Sequence, residues 1–207
     1  MSKGLFIVFE GIDGAGKSTQ ARLLAEALER AGRQVYMTAE PTPLPSGKAL
    51  REVLGGKVKK TPCEIAIMFA EDRVAHNKNS ECGIEKLLAD GVCIICDRYY
   101  YSSLAYQGSQ CDYEWVRSLN TRCPEIRHPD LCIFLDLTPE ESMKRIMSAN
   151  RDTTEIYETE EILESVRNTF MKVLEDMKKE DKIAIIDASH DIETIARDVL
   201  AAVEEIL

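Results

Sequence analysis

The sequence predicts an α/β protein: a five-stranded parallel sheet with helices on both faces. Three observations predict it. Short apolar runs, the mark of strands buried on both sides, alternate with amphipathic stretches along the whole chain. The first run, Leu5 to Phe9, leads into Gly11-Ile12-Asp13-Gly14-Ala15-Gly16-Lys17-Ser18, which fits the G-x-x-x-x-G-K-[ST] phosphate-binding pattern in full. The residues that follow carry Ala21, Leu24, Ala25 and Leu28 at helical spacing. A strand before and a helix after is the setting in which such a loop works. The glycines let successive N–H groups converge on phosphate oxygens, Lys17 reaches the outer phosphates, and the Ser18 hydroxyl can sit on Mg²⁺. The positive end of the helix favours the same anion.

That helix, Gly16 to Ala31, stops at Gly32. Arg33 to Thr38 reads as the second strand and ends in Ala39-Glu40-Pro41; Pro41, Pro43 and Pro45 then keep the loop extended. A short helix covers Ser46 to Leu54, before Gly55-Gly56. Thr61-Pro62-Cys63-Glu64 combines a capping Thr, Pro in the first turn and Glu in capping-box position, opening a helix to about Asn77. Another helix, Glu81 to Ala89, ends at Gly91. Val92 to Cys96 is the third strand, delivering Asp97-Arg98. Cys93 and Cys96 have C-x-x-C spacing, but three apart on a strand they face opposite sides and read as core packing, not a metal or redox pair.

Tyr99 to Gly108 forms a turn and the start of a helix, Trp115 to Asn120 is helical, and Pro124 and Pro129 mark a loop. Leu131 to Leu137 is the fourth strand, and Thr138-Pro139-Glu140-Glu141 opens a helix carrying Lys144 and Arg145. Polar Asn150 to Glu158 is a candidate lid, counted with the end of that helix as 145–158. Glu160 to Lys179 is a long amphipathic helix with Ile162, Val166, Phe170, Val173 and Met177 near one stripe. Ile183 to Asp187 is the fifth strand, and Ile192 to Leu207 the closing helix. Right-handed crossovers bring the phosphate loop, Glu40-Pro41 and Asp97-Arg98 to one edge of the sheet.

A chain of 207 residues predicts one domain, 1–207. No apolar run approaches a membrane span, the N-terminus runs almost directly into the first strand, and seven cysteines are scattered through apparent core segments. The expectation is a cytoplasmic protein with reduced thiols and no signal peptide. The net charge of −10 argues against nucleic acid or an acidic membrane as a partner, but not against a nucleotide, which needs only a few placed cations and a metal. His76, His128 and His190 read as surface or capping residues.

Asp97-Arg98 at a buried strand end offers a metal-directed carboxylate and a phosphate-directed guanidinium. Phe69 and Arg73 share a helix face. An aromatic plane beside a guanidinium suits a flat heterocycle, although core packing plus a snorkelled charge makes the same pattern. Together these residues carry a resemblance to the thymidylate kinase family, nucleoside-monophosphate kinases of the phosphate-loop NTPase fold. Phe9-Glu10-Gly11 through Ser18-Thr19-Gln20 is similar to its N-terminal signature. Asp97-Arg98-Tyr99 with Ser102-Ser103-Leu104-Ala105-Tyr106-Gln107-Gly108 is similar to its most discriminating segment. Phe69-x-x-x-Arg73, Pro129-Asp130-Leu131, Phe134-Leu135-Asp136 and Ile186-Asp187-Ala188-Ser189 fall in family order.

The resemblance implies phosphorylation of dTMP to dTDP with ATP and Mg²⁺, in a homodimer. It implies that Phe69 stacks on thymine, Arg73 bonds its carbonyl edge, and Ser103 and Gln107 complete base recognition. Tyr106 would lie against the deoxyribose, Asp13 would approach the 3′-hydroxyl and the metal shell, and Arg51 and Arg98 would hold the monophosphate. Ser18 and Asp97 would hold the metal, and Lys17, Asp97, Arg98 and a lid arginine would serve catalysis. On spacing alone Ser103 reads as a helix cap, Tyr106 as core and Arg51 as a solvated charge. Gly14 stands where one branch of the family carries arginine. The other branch has lid arginines, and here Ile156-Tyr157-Glu158 lacks one, so Arg151 is the substitute, ahead of Arg145. Two other readings stand beside this one: a kinase for another nucleoside monophosphate, and an ATP-binding regulatory protein or slow hydrolase on the same fold.

Overall fold

The computed structural model describes residues 3–148 and 160–207. Five strands, β1 (Phe6–Glu10), β2 (Val35–Ala39), β3 (Cys93–Asp97), β4 (Leu131–Asp136) and β5 (Ile183–Asp187), form one parallel sheet in the order β2-β3-β1-β4-β5. Among the described residues the helices are α1 (Lys17–Arg30), α2 (Pro45–Leu54), α3 (Pro62–Lys78), α4 (Ile84–Ala89), α5 (Tyr100–Tyr106), α6 (Tyr113–Thr121), α7 (Pro139–Ser148), α8 (Glu160–Met177) and α9 (Ile192–Glu204). None of these is long and apolar enough to cross a membrane.

β1 is central because it is apolar on both faces. Ile7 and Phe9 pack with Leu24 and Leu28 of α1 and Val199 and Val203 of α9. Phe6 and Val8 pack on the other face with Tyr99, Leu104 of α5, and Phe170 and Leu174 of α8. All four β1 side chains are sealed from solvent, and each such burial contributes about 1.5–3 kcal/mol. Cys93 belongs to the first core and Cys96 to the second, as their odd spacing on a strand requires.

Helix ends follow their caps. Thr61 and Glu64 form the full capping box of α3, with Thr61 N–H donating to Glu64 Oε2 at 2.8 Å. α4 starts at Ile84 rather than Glu81, because the Asn79 side chain accepts from both Glu81 and Cys82 N–H at 2.9 Å and winds 79–83 into a turn. α6 starts at Tyr113, two residues earlier than periodicity indicates, because Asp112 caps it through Trp115 N–H at 2.7 Å. The histidines need correction. His76 is buried, between Thr38 and Glu40, and half-exposed His128 pairs with buried Asp181 at 2.6 Å. Of the three read as surface or capping residues, His190 is exposed and His128 partly so, while buried His76 is neither.

Candidate active site

The site begins where β1 stops. Gly11 turns the chain at φ 145°, and a Cβ there would meet the Leu135 carbonyl at 2.7 Å, so only glycine fits. Gly16, left-handed at φ 91°, caps α1. Lys17, the first helical residue, is folded back over the loop: Nζ donates to the carbonyls of Gly11 and Ile12 at 3.1 Å and lies 3.7 Å from Asp13 Oδ1. Burial, then the Arg98 charge, push its ammonium down to about 8, against the pull of Asp13, Asp97 and Glu10. Ser18 is exposed, and its hydroxyl donates to Asp97 Oδ2 at 3.0 Å across the β1–β3 gap. Asp97 Oδ1 is buried with no hydrogen-bond partner among the described residues.

Gly14 is left-handed and touches α7. A Cβ on it would meet the Ser142 carbonyl at 2.9 Å, and Ser142 Oγ donates to the Asp13 carbonyl. Docking of α7 on the loop therefore leaves no room for a side chain at position 14.

The second wall rests on a residue whose role spacing does not reveal. Glu10 is fully buried and accepts from Tyr99 N–H at 2.8 Å, Ser102 N–H at 3.1 Å and the Ser102 hydroxyl at 2.7 Å. It pins the entry to α5. Burial pushes its carboxyl up from the ordinary range, while Arg98, Ser102 and the Tyr99 N–H pull it back. Arg98 itself is left-handed at φ 66°, a conformation that costs a non-glycine residue roughly 1–2 kcal/mol. It is held there by its N–H to the Phe9 carbonyl at 2.9 Å, Nη2 to Asp13 at 2.6 Å and Nη1 to Ser102 at 3.1 Å. Burial opposes the Arg98 charge, but Tyr106, Asp13, Glu10 and Asp97 outweigh it and keep the guanidinium ionised. The Tyr106 ring lies 5.7 Å from the guanidinium carbon.

Arg73 is not a snorkelled surface charge; it is sealed in the interior. Nε donates to Glu40 Oε2 at 2.8 Å, Nη2 lies 2.7 Å from the same oxygen in the ion pair, Nη1 donates to Asn120, and Nη2 to Ser103 Oγ at 3.3 Å. Its other partner residue, Glu40, follows β2 and is tied to β3 by its N–H to the Asp97 carbonyl at 3.1 Å. Ser103 lies inside α5 and caps nothing. Phe69 is half-buried one turn before Arg73, and Gln107, just past α5, has a buried Oε1 with no partner among the described residues. Arg51 donates to the carbonyls of Pro41 and Thr42 at 2.6 and 2.5 Å, while Asp72 accepts from Thr42 N–H at 2.8 Å and from the Ser46 hydroxyl at 2.6 Å. The proline-rich loop is thus stapled to α2 and α3.

A cleft of about 770 Å³ runs over the phosphate loop, with Arg145 and Ile192 on the β4–β5 side and Glu40 and Arg98 on the β2–β3 side. Asp13, Lys17, Ser18 and Asp97 line it. Phe69, Arg73, Ser103, Tyr106 and Gln107 do not; Arg73, with Ser103 on it, connects to Glu40, and Tyr106 to Arg98, through the contacts above. Arg151, Ile156-Tyr157-Glu158 and most of 145–158 lie outside the described residues. Arg145 donates to the Ala188 carbonyl at 2.7 Å and holds α7 to the loop after β5. Glu10, Glu40, Asp72 and Asn120 are buried polar residues that periodicity left without a role. The signal for Glu10 was a carboxylate at the end of a strand apolar on both faces.

The sequence matches one protein family, thymidylate kinase, over residues 9–199. It is 42% identical over 212 residues to a probable thymidylate kinase of Thermococcus kodakarensis, covering 98% of each chain. It is 43% identical over 194 residues to one of Methanococcus aeolicus, covering 92% of this chain and 89% of that one. To the thymidylate kinase of Desulfotalea psychrophila it is 34% identical over 205 residues, covering 99% and 96%. Given a family match that runs from the end of β1 through the phosphate loop, the Asp97-Arg98 turn and the other four strands, and relatives up to 43% identical over most of the chain, the chain belongs to the thymidylate kinase family.

Proposed function

We infer that the chain transfers the γ-phosphoryl group of ATP to dTMP, giving dTDP. The observation that carries this is the meeting, across one cleft, of the Lys17 loop with a second wall that holds the Arg98 guanidinium and Glu40, itself paired to buried Arg73. A hydrolase needs only the first. The acceptor is a phosphate with a second pKa of about 6, ionised at neutral pH, so no general base is required. What remains is to align two polyanions and offset their charge.

The backbone from Gly11 to Ser18 would cradle the donor phosphates, with Ile12, Asp13, Gly14, Ala15 and Gly16 between. Lys17 exchanges its two carbonyl partners for phosphate oxygens. Arg98, released from Asp13, holds the acceptor phosphate, and Asp13 turns to the 3′-hydroxyl; Arg51 backs the phosphate from the proline-rich loop. Phe69 stacks on thymine. The guanidinium of Arg73 has one Nη1 hydrogen beyond its bonds to Glu40, Asn120 and Ser103, suited to a base carbonyl. The orphaned Gln107 Oε1 is an acceptor suited to the base N–H beside that carbonyl. Tyr106, against Arg98, occupies the deoxyribose side. Arg151 is the lid cation in this reading, 145–158 the lid of a single domain, and the assembly a cytoplasmic homodimer.

The residues present fit Mg²⁺. The Ser18 hydroxyl and Asp97 stand 3.0 Å apart at the cleft, and Asp97 Oδ1 is a buried acceptor without a partner. Bound there, the ion would offset charge on the β- and γ-phosphate oxygens. Asp97→Asn is expected to raise the Mg²⁺ concentration for half-maximal rate about tenfold or more, with an unchanged melting temperature; an unchanged Mg²⁺ requirement would remove Asp97 from the metal site. The function itself is tested by steady-state rates with ATP, Mg²⁺ and dTMP, dUMP, UMP, AMP or CMP. The highest kcat/KM is expected for dTMP. Preference for AMP or CMP would reject the base-site assignment, and ATP turnover indifferent to every monophosphate would favour a hydrolase.

A further inference from the structure

Two thiols from distant parts of the chain meet at the surface. Cys63 lies in the first turn of α3 and is exposed; Cys111 lies in the connection from α5 to α6 and is half-buried. Their sulfurs are 3.1 Å apart although the residues are 48 apart in sequence. A disulfide bond is about 2.05 Å long, so closure asks for a movement of only about 1 Å. Both backbones are anchored. Thr61 and Glu64 lock the turn that carries Cys63, and Cys111 N–H donates to the Gln107 carbonyl at 2.9 Å while the next residue, Asp112, caps α6. The approach is therefore set by two fixed elements rather than by loose chain ends.

The remaining cysteines differ. Cys93, Cys96 and Cys132 are sealed in the cores, Cys82 lies against Asn79, and Cys123 against Glu125. Among the described residues no group of three or more metal-ligating side chains forms, so the pair has no partners for a metal site. What two adjacent thiols with one solvent-facing member can do is exchange with a disulfide.

We propose that Cys63 and Cys111 form a reversible thiol–disulfide exchange site, closed by small disulfides of the glutathione type and reopened by dithiols. The Cys63 sulfur, as thiolate, attacks one sulfur of the small disulfide. The old S–S bond breaks, and one small thiolate leaves and takes up a proton. The Cys111 thiol gives up its proton and its sulfur attacks Cys63 in the mixed disulfide, forming the protein bond and expelling the second small thiolate, which takes up that proton. Two protein thiols are oxidised and one small disulfide is reduced to two thiols. The product clasps the start of α3, which bears Phe69 and Arg73, to the segment following Ser103, Tyr106 and Gln107. The site stands on geometry alone and does not depend on the identity of the phosphate acceptor.

The test is incubation of the full chain with oxidised glutathione, alkylation of remaining thiols and peptide mapping without reduction. Expected are a Cys63–Cys111 cross-linked peptide in most molecules and a loss of two titratable thiols. The melting temperature should rise by roughly 5 °C, since a closed loop of this length restrains the unfolded chain. Dithiothreitol should reverse both, and Cys63→Ser and Cys111→Ser should each abolish the rise. A bond mapped to other cysteines would overturn the proposal. So would glutathione accumulating on Cys63 with Cys111 unreacted, or a rise that survives in either variant.

Discussion

Lys17→Ala is expected to lower kcat by about 10³-fold, the loss typical of a preorganised charge aimed at transferring phosphate oxygens. The fold should survive. The ammonium is buried against loop carbonyls, Arg98 adds repulsion, and its removal deletes a charge that burial already disfavours. The same burial yields a pH signature. In the free enzyme Lys17 is down to about 8 from 10.5, so kcat/KM for ATP should fall as pH rises through about 8. The bound triphosphate restores the charge, so the basic limb of kcat itself should lie higher. The sign for stability is opposite. Between about pH 8 and 10.5 the unfolded chain binds the Lys17 proton more tightly than the folded one, so this group makes folding more favourable as pH rises across that window. Rate profiles of wild type and Lys17→Ala, with calorimetry of both, check all three. A variant retaining more than a tenth of wild-type kcat, or an ATP profile flat to pH 10, would remove Lys17 from phosphate contact.

Arg73→Ala should cost both stability and acceptor recognition. The side chains of Arg73 and Glu40 are 1% and 2% exposed. Removing the guanidinium leaves a buried carboxylate whose remaining hydrogen bond among the described residues is to His76, together with Asn120 and Ser103 oxygens that lose their donor. Breaking a buried pair in this way costs about 3–5 kcal/mol, which in a domain of this size lowers the melting temperature by roughly 10 °C. The kcat/KM for dTMP should fall about 10²-fold or more while ATP affinity, measured by equilibrium binding, stays within about twofold. Arg73→Lys separates the effects: it keeps a charge near Glu40 and should recover part of the stability, but not the forked bonds or the dTMP rate. Equal losses for ATP and dTMP would assign Arg73 to structure alone.

The β-strands were legible from the sequence because each is short, apolar and followed by a turn residue, and the phosphate loop because its glycines sit at fixed spacing. Asp97-Arg98 stood out as charge ending the run Val92 to Cys96. Less legible was anything whose environment is assembled from several segments. His76 looks like any polar residue of α3, yet β2 places Thr38 and Glu40 on either side of it. Arg73 has the spacing of a surface cation, and its burial depends on Glu40, Ser103 and Asn120, three elements away from each other in sequence. Gly14 has the look of an ordinary loop glycine until α7 arrives 2.9 Å from where its Cβ would be.

By itself the sequence determined the alternation of strand and helix, the phosphate loop and the family, since these depend on periodicity and local backbone freedom that neighbours along the chain decide. Only the tertiary structure decided which charges are buried and with whom. It made Glu10 the anchor of a left-handed Arg98, turned Phe69-x-x-x-Arg73 from a surface pattern into an ion pair with Glu40, and set Cys63 beside Cys111. The reason is that the free energy of a buried charge or an adjacent thiol depends on atoms a few ångströms away, and packing across the sheet, not order along the chain, supplies them.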